Sequence, residues 1–345
     1  MQREEQGVAV IDAGRIGAMR ARLAANHLRS CTPIAVVLLL VDAIAHAQGY
    51  PAKPIRWIVP FAPGGPSDLL ARTVGQKLTD AWGQQVLIDN RAGANGVVGS
   101  ELAAKSAPDG YTLLSGTSGT HGINASLYAK LPYDTVGDFA PITRVGQVPF
   151  ALVAHPSLPA RTVNELIRLA RLQPGRISYA SGGSPSQLAA ELFKSMARVD
   201  LLHVPYKGAA VAITDVIGGQ VSITFGGVAL AAPQVKEGRL RALAVTGSRR
   251  SSVLPEVPTV AESGVPGYEV STWYGAFAPG GTPHAIVARI NAEIVRIMQL
   301  PEVRERLLSQ AFEPLADTPE RFAALVRAEI VKWARVVKES GARAD

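Results

Sequence analysis

The chain has 345 residues, 47% hydrophobic and 18% charged, with 33 glycines and 24 prolines, which fits an ordered, turn-rich globular protein long enough for two domains. Its formal net charge is +7, but the basic residues are scattered instead of gathered with aromatics on one element, which argues against nucleic acid and leaves a general bias towards anions. The six histidines show neither H-E-x-x-H nor H-x-H spacing, so no metal site is expected, and no cofactor motif is present.

The first 47 residues read as an export leader. Arg20, Arg22 and Arg29 precede an apolar run, IAVVLLLVDAIA at 34–45, and Ala45-His46-Ala47 supplies the small residues of a cleavage point. The run is shorter than the ~20 residues a bilayer needs, and Asp42 interrupts it, so a membrane anchor is disfavoured. Cleavage is expected after Ala47, with Met19 an alternative start. Cys31, the single cysteine, precedes the apolar run, so the exported chain would carry no thiol and no disulfide.

After the leader, strand and helix patterns alternate. IRWIV at 55–59 is a buried-type strand, followed by the turn PFAPGGPSD and a helix over 68–82. QVLID at 85–89, the loop NRAGANG and a helix over 97–106 repeat the unit. TLLSG at 112–116 runs into a polar glycine loop, TSGTHGIN. Further strands are expected at 150–155, 177–180, 201–206, 220–225 and 240–246. Helices are expected between them at 163–172, 186–196 and 209–217, and a helical tail at 284–298, 302–310 and 319–338. This rhythm predicts an α/β fold with largely parallel sheets.

The chemistry lies in the turns from strand to helix. In APGGPSD, Gly64 and Gly65 let backbone approach a ligand, and Ser67 or Asp68 can cap the next helix. The runs SGTSGTHGIN and SYASGGSPSQLAAELF repeat the device. The free N–H groups and positive dipole end of such a helix suit an anion. A glycine–serine turn alone is more often a plain cap; it is the repetition that points to a site. Enzyme signatures fail: there is no G-x-S-x-G elbow and no G-K-[ST] loop, and GANGVVG lacks the close G-x-G of a dinucleotide site. A dyad of His121 or His203 with Ser118, Ser181 or Ser184 has no positioned acid in the sequence, so an enzyme is not expected. A secreted hydrolase on a similar scaffold remains the alternative.

With its runs YPAKPIRWIVPFAPGGPSD, IDNRAGANG, APDGYTLL, SYASGGSPSQLAAELF, HVPYKGAA, VIGGQV, LPEVPTVAESGVPGYE and TWYGAFAPGGTP in order, the chain after its leader resembles the receptors of tripartite tricarboxylate transporters, the Bug-type solute-binding proteins. The resemblance implies a periplasmic, two-lobed periplasmic-binding-protein type II-like fold with a ligand cleft between lobes. It also implies a small carboxylate as ligand, such as a di- or tricarboxylate, and membrane permease subunits as partners. A ligand-sensing role beside a sensor kinase is a further alternative. Pattern and analogy together give domain 1 as 48–149 plus 275–345 and domain 2, inserted, as 150–274; periodicity alone leaves two consecutive domains open.

Carried onto this sequence, the first ligand loop supplies Phe61, Ala62, Gly64, Gly65, Ser67 and Asp68. The second supplies Thr117, Ser118 and His121, and the third Ser181, Gly182, Gly183, Ser184 and Gln187, with Gly226 beside them. Three departures from the family pattern stand out. Gln187 replaces a frequent histidine, Gly226 and Gly227 stand where an aspartate is common, and APGGTP replaces APAGTP. Loss of an acidic group weakens recognition of an amino group, which favours a plain carboxylate over an amino acid. Trp57, Tyr206, Trp273 and Tyr274 have packing as the simpler role, and Arg91 and Lys207 are either counter-charges or solvated surface.

Overall fold

The computed structural model describes residues 49–206 and 208–343. The leader, with its cleavage point after Ala47 and Cys31, lies outside them, as does Lys207. In chain order the elements are β1 (Ile55–Val59), α1 (Pro66–Trp82), β2 (Val86–Asn90), α2 (Val97–Ala104), β3 (Thr112–Thr117), α3 (Asn124–Leu127), β4 (Phe139–Ala154), α4 (Val163–Leu172), β5 (Ser178–Ser181) and α5 (Ser184–Ala197). They continue with β6 (Leu202–Pro205), α6 (Ala209–Ile217), β7 (Ile223–Gly227), α7 (Val228–Lys236), β8 (Arg241–Val245), β9 (Ser271–Pro279), α8 (His284–Ile297), α9 (Pro301–Ser309), β10 (Glu313–Pro314) and α10 (Pro319–Ser340). No helix among the described residues is long and apolar enough to cross a membrane.

The strands run in the order β2-β1-β3-β9-β4-β7-β5-β6, with β8 and β10 also paired to β4. Each end of this order is a parallel triplet: β2, β1 and β3 on one side, β7, β5 and β6 on the other. Between the triplets, β9 and β4 pair antiparallel with each other and with their outer neighbours. The fold is therefore α/β as expected, but parallel pairing is confined to the two ends.

β4 differs most from its sequence pattern. The expected strand at 150–155 is only the last third of a sixteen-residue strand. Its first part pairs with β9 from Phe139↔Pro279 to Pro149↔Ser271, and its last residues pair with β7 and β8. Pro141 and Pro149 lack a ladder N–H and Gly146 has no side chain to pack, so the sequence reads as punctuation. Register shifts between Pro141 and Thr143 and between Arg144 and Gly146 absorb the irregularity as bulges. α7 was also hidden, because Pro233 sits inside it and a glycine pair precedes it.

Local chemistry explains several boundaries. Four of the five residues of IRWIV, Ile55, Trp57, Ile58 and Val59, are buried in β1, while Arg56 stays partly exposed and pairs with Asp89. The Thr162 hydroxyl accepts the Glu165 N–H at 3.1 Å and starts α4 at Val163. α10 links two packed clusters: Phe322 and Val326 join Ile58, Trp273 and Phe277, whereas Trp333, Val336 and Val337 join Phe193, Phe225 and Tyr268. The buried Glu329 carboxylate accepts the indole N–H of both Trp273 (3.3 Å) and Trp333 (2.8 Å), fixing this helix across β9.

Candidate functional site

At the carboxyl ends of β1, β3, β5 and β7 the chain turns into helices around a cavity of about 350 Å³. Crevices at such strand ends are the usual ligand positions in α/β proteins. Residues from the first turns of α1 (Gly65, Pro66, Ser67), α5 (Ser184, Pro185, Ser186) and α6 (Ala209) line it. Gly226 and Gly227, at the start of α7, complete a fourth side.

The N-caps of these four helices are Gly65, Gly183, Gly208 and Gly227, and none makes a side-chain capping bond. Serine, threonine or aspartate at these positions would satisfy the first-turn N–H groups internally. Glycine leaves them available, with the positive end of the helix dipole behind them. At Gly183 glycine is also required by conformation, since φ is +148°. Its neighbour Gly182 is pressed against the start of α6: a Cβ there would lie 2.3 Å from the Ala209 Cα. The starts of α5 and α6 thus form one continuous donor surface.

The described lining carries no acidic, basic or histidine side chain. Of the four first turns only that of α1 contains an acid, Asp68, and it is already engaged. Its Oδ2 accepts from the Gly64 N–H and the Arg72 guanidinium, both at 2.9 Å, and its Oδ1 from the Asn90 amide at 2.9 Å. Burial alone would push this carboxyl up; the bonds from Arg72, Gly64 and Asn90 outweigh it and hold it below the ordinary carboxylate range. Asp68 thereby fixes the loop and does not face the cavity. Ser67 is 3% exposed, lines the cavity, and has a hydroxyl without a partner in the protein. A buried hydroxyl in that condition is costly until something bonds to it.

The second loop does not remain a loop. Gly119–Ile123 forms a single π-helical turn that runs directly into α3. Thr117 and Gly119 reach the cavity, while His121 turns away into the core. Its imidazole is stacked on Phe277 with centroids 4.1 Å apart and meets Phe139 edge-on at 4.6 Å. Its Nδ1 bonds the Thr120 hydroxyl at 2.8 Å, and its Nε2 is buried without a partner. Burial lowers its pKa from 6.5 to about 3, so it is neutral across the physiological range.

Of the sequence candidates, Phe61, Gly65, Ser67, Thr117, Gly182, Gly183, Ser184 and Gly226 all lie on the cavity wall. Ala62, Gly64, Asp68, Ser118, His121, Ser181 and Gln187 are not part of that wall. Ser181 and His203 do meet, Oγ to Nε2 at 2.7 Å, but Ser181 is off the wall and the His203 ring is stacked on Tyr179. Trp57 and Trp273 are core residues, Arg91 pairs with Asp89 at 2.8 Å, and Tyr274 lines the cavity. Sequence reasoning missed Asn95, Asn124, Phe150, Ala209, Thr224 and Thr272 as wall residues. For Ala209 the signal was available: HVPYKG before AAVAITDVI is another strand, glycine and helix start. Asn124 and Phe150 carried no such mark, because only the pairing of β4 with β7 and the π-turn bring them to the cavity. Among the described residues no group of His, Cys, Asp or Glu is gathered to hold a metal ion.

Two parallel strand groups with a neutral cavity at their carboxyl ends have the architecture of a solute-binding receptor. The chain belongs to the tripartite tricarboxylate transporter family receptor family, whose model matches residues 70–342. It is similar to BugT of Bordetella pertussis, 39% identical over 306 residues that cover 88% of this chain and 94% of that one. Among solved structures it resembles Rhodopseudomonas palustris Rpa4515 with adipate, with a TM-score of 0.74 and 37% identity over 85% of this chain and 98% of that one. It also resembles MatC from the same organism with bound malate, with a TM-score of 0.71 and 34% identity over 84% of this chain and all of that one. The family is periplasmic.

Proposed function

We propose that the chain captures a small carboxylate in this cavity and delivers it to the membrane permease subunits of a tripartite transporter. The observation that carries the reading is the convergence of four glycine-capped helix starts on one cavity with no acidic side chain in its described lining. Each helix start is worth about half a positive charge, so four offer about two. That matches a mono- or dianion without calling on lysine or arginine. The adipate and malate held by two relatives support the same ligand class. In this reading Gly65, Ser67, Thr117, Gly183, Ser184 and Gly226 touch the ligand. Residues 48–149 with 275–345 form one lobe and 150–274 the other, β4 and β9 cross between them, and ligand closes the cleft. Residues 1–47 direct export and are removed after Ala47.

Differential scanning fluorimetry against a carboxylate library tests the receptor reading. A bound carboxylate at a hundred times its dissociation constant adds about 2.7 kcal/mol of stability, and calorimetry should then give one site, with the ligand recovered unchanged. Stabilisation by neutral or cationic solutes and by no carboxylate refutes it. Intact-mass measurement of periplasmic material beginning at a residue other than Gln48 refutes the cleavage assignment.

A further inference from the structure

The rest of the lining differs from the helix starts. Phe61, Phe150 and Tyr274 are aromatic, and Ala212, one turn along α6 from Ala209, is apolar. β7 ends in Gly226 and Gly227, both on the cavity. Neither has a positive φ, so the backbone does not require glycine at either position. A Cβ placed on Gly226 meets only Ile213 Cδ1 and Thr224 Cγ2, both at an ordinary 3.6 Å, and one on Gly227 meets nothing within 4 Å. Side chains fit here, and their absence leaves room for the ligand.

We infer that the cavity selects a carboxylate whose body is an unsubstituted hydrocarbon, ring or chain, and that the Gly226–Gly227 pair sets this preference; the inference rests on the receptor reading above. The cavity, about 350 Å³, holds roughly a dozen non-hydrogen atoms at the ~30 Å³ a water-sized group occupies. The carboxylate takes the N–H groups at the helix starts and the body packs on the aromatic walls. An α-ammonium group in that space finds no carboxylate in the described lining and loses its water. Each hydroxyl of a polyhydroxylated acid gives up water and is compensated only where it meets Ser67, Asn95, Thr117, Asn124, Thr224 or Thr272; along Phe61, Phe150 and Tyr274 it is not. Selection thus comes from what the wall does not offer as much as from what it does.

The test is calorimetry of the mature protein with matched acids: 3-phenylpropionate against phenylalanine, pimelate against 2-aminopimelate, and citrate. The expected result is that at least one unsubstituted acid binds about tenfold or more tightly than its amino counterpart and than citrate. An amino counterpart or citrate binding as tightly overturns the inference and leaves the receptor reading standing. Failure of every acid of every kind removes both. Gly226→Asp then examines the glycine pair, with Gly226→Ser as a control for bulk. The aspartate should weaken the preferred acid by about a hundredfold or more and the serine by about tenfold or less. Equal effects of the two, or none, overturn the assignment of Gly226, and circular dichroism of each variant confirms that it is folded.

Discussion

Replacing Ser184 by aspartate makes binding and stability move in opposite directions. Ser184 is the first residue of α5, directly after the N-cap Gly183, and it lies on the cavity wall. A bound carboxylate held by this helix start would sit ~4 Å from the new charge, where the repulsion is about 4 kcal/mol at an effective dielectric of 20. That is close to a thousandfold in dissociation constant. The same aspartate in the ligand-free protein faces the positive end of α5, whose first turn holds no acidic residue, and should stabilise it by about 0.3–1 kcal/mol. Ser184→Ala keeps the backbone donors and should cost binding only about 0.5–1.5 kcal/mol. Calorimetry with an identified carboxylate, together with denaturation of the ligand-free proteins, separates the cases. The expected order of affinity is wild type, Ala, then Asp with no measurable binding, while Asp is at least as stable as wild type without ligand. An aspartate variant that binds as tightly as wild type refutes the placement of the anion at α5.

Three more outcomes follow from other parts of the structure. His121 stays neutral in the fold down to about 3, whereas in the unfolded chain it takes up a proton near 6.5, so stability is lost as pH falls between these values. The loss should reach about 2–3 kcal/mol by pH 4.5, and His121→Gln should lack this component; equal changes in urea midpoint between pH 7 and 4.5 in both proteins contradict the assignment. Gly182→Ala puts a methyl group into the Ala209 backbone and should cost about 1–3 kcal/mol while loosening the junction of α5 and α6, as read from denaturant midpoints. Thr246 is fully buried; its hydroxyl accepts the Phe150 N–H at 2.7 Å and contacts the Val270 carbonyl at 2.6 Å, joining β4 to the approach to β9. Thr246→Val should cost about 1–3 kcal/mol, and an unchanged midpoint would show that the bonds contribute nothing net.

The sequence by itself determined the elements whose signals are local. α4 and α6 fall where their periodicity, cap and flanking glycines put them, and the largely apolar run of β1 announces a buried strand. It also marked the glycine turns at 64–65 and 182–183, because a helix start that must keep its N–H groups free excludes capping side chains, and that shows in residue types. What the tertiary structure decided has no local signature. β4 runs through two prolines and a glycine because β9 beside it supplies the pairing, a dependence spanning more than a hundred residues. His121 and Thr117 sit four residues apart in one glycine-rich run, yet the π-turn sends one into the aromatic core and the other to the cavity. Phe150 and Gly226 face the cavity only because β4 and β7 pair there, with Ala151 opposite Gly226. Helix caps and turn glycines are chosen by neighbours within four residues and can be read from them. A cavity wall is assembled from strand ends distant in sequence, and its membership is settled by the register of their pairing.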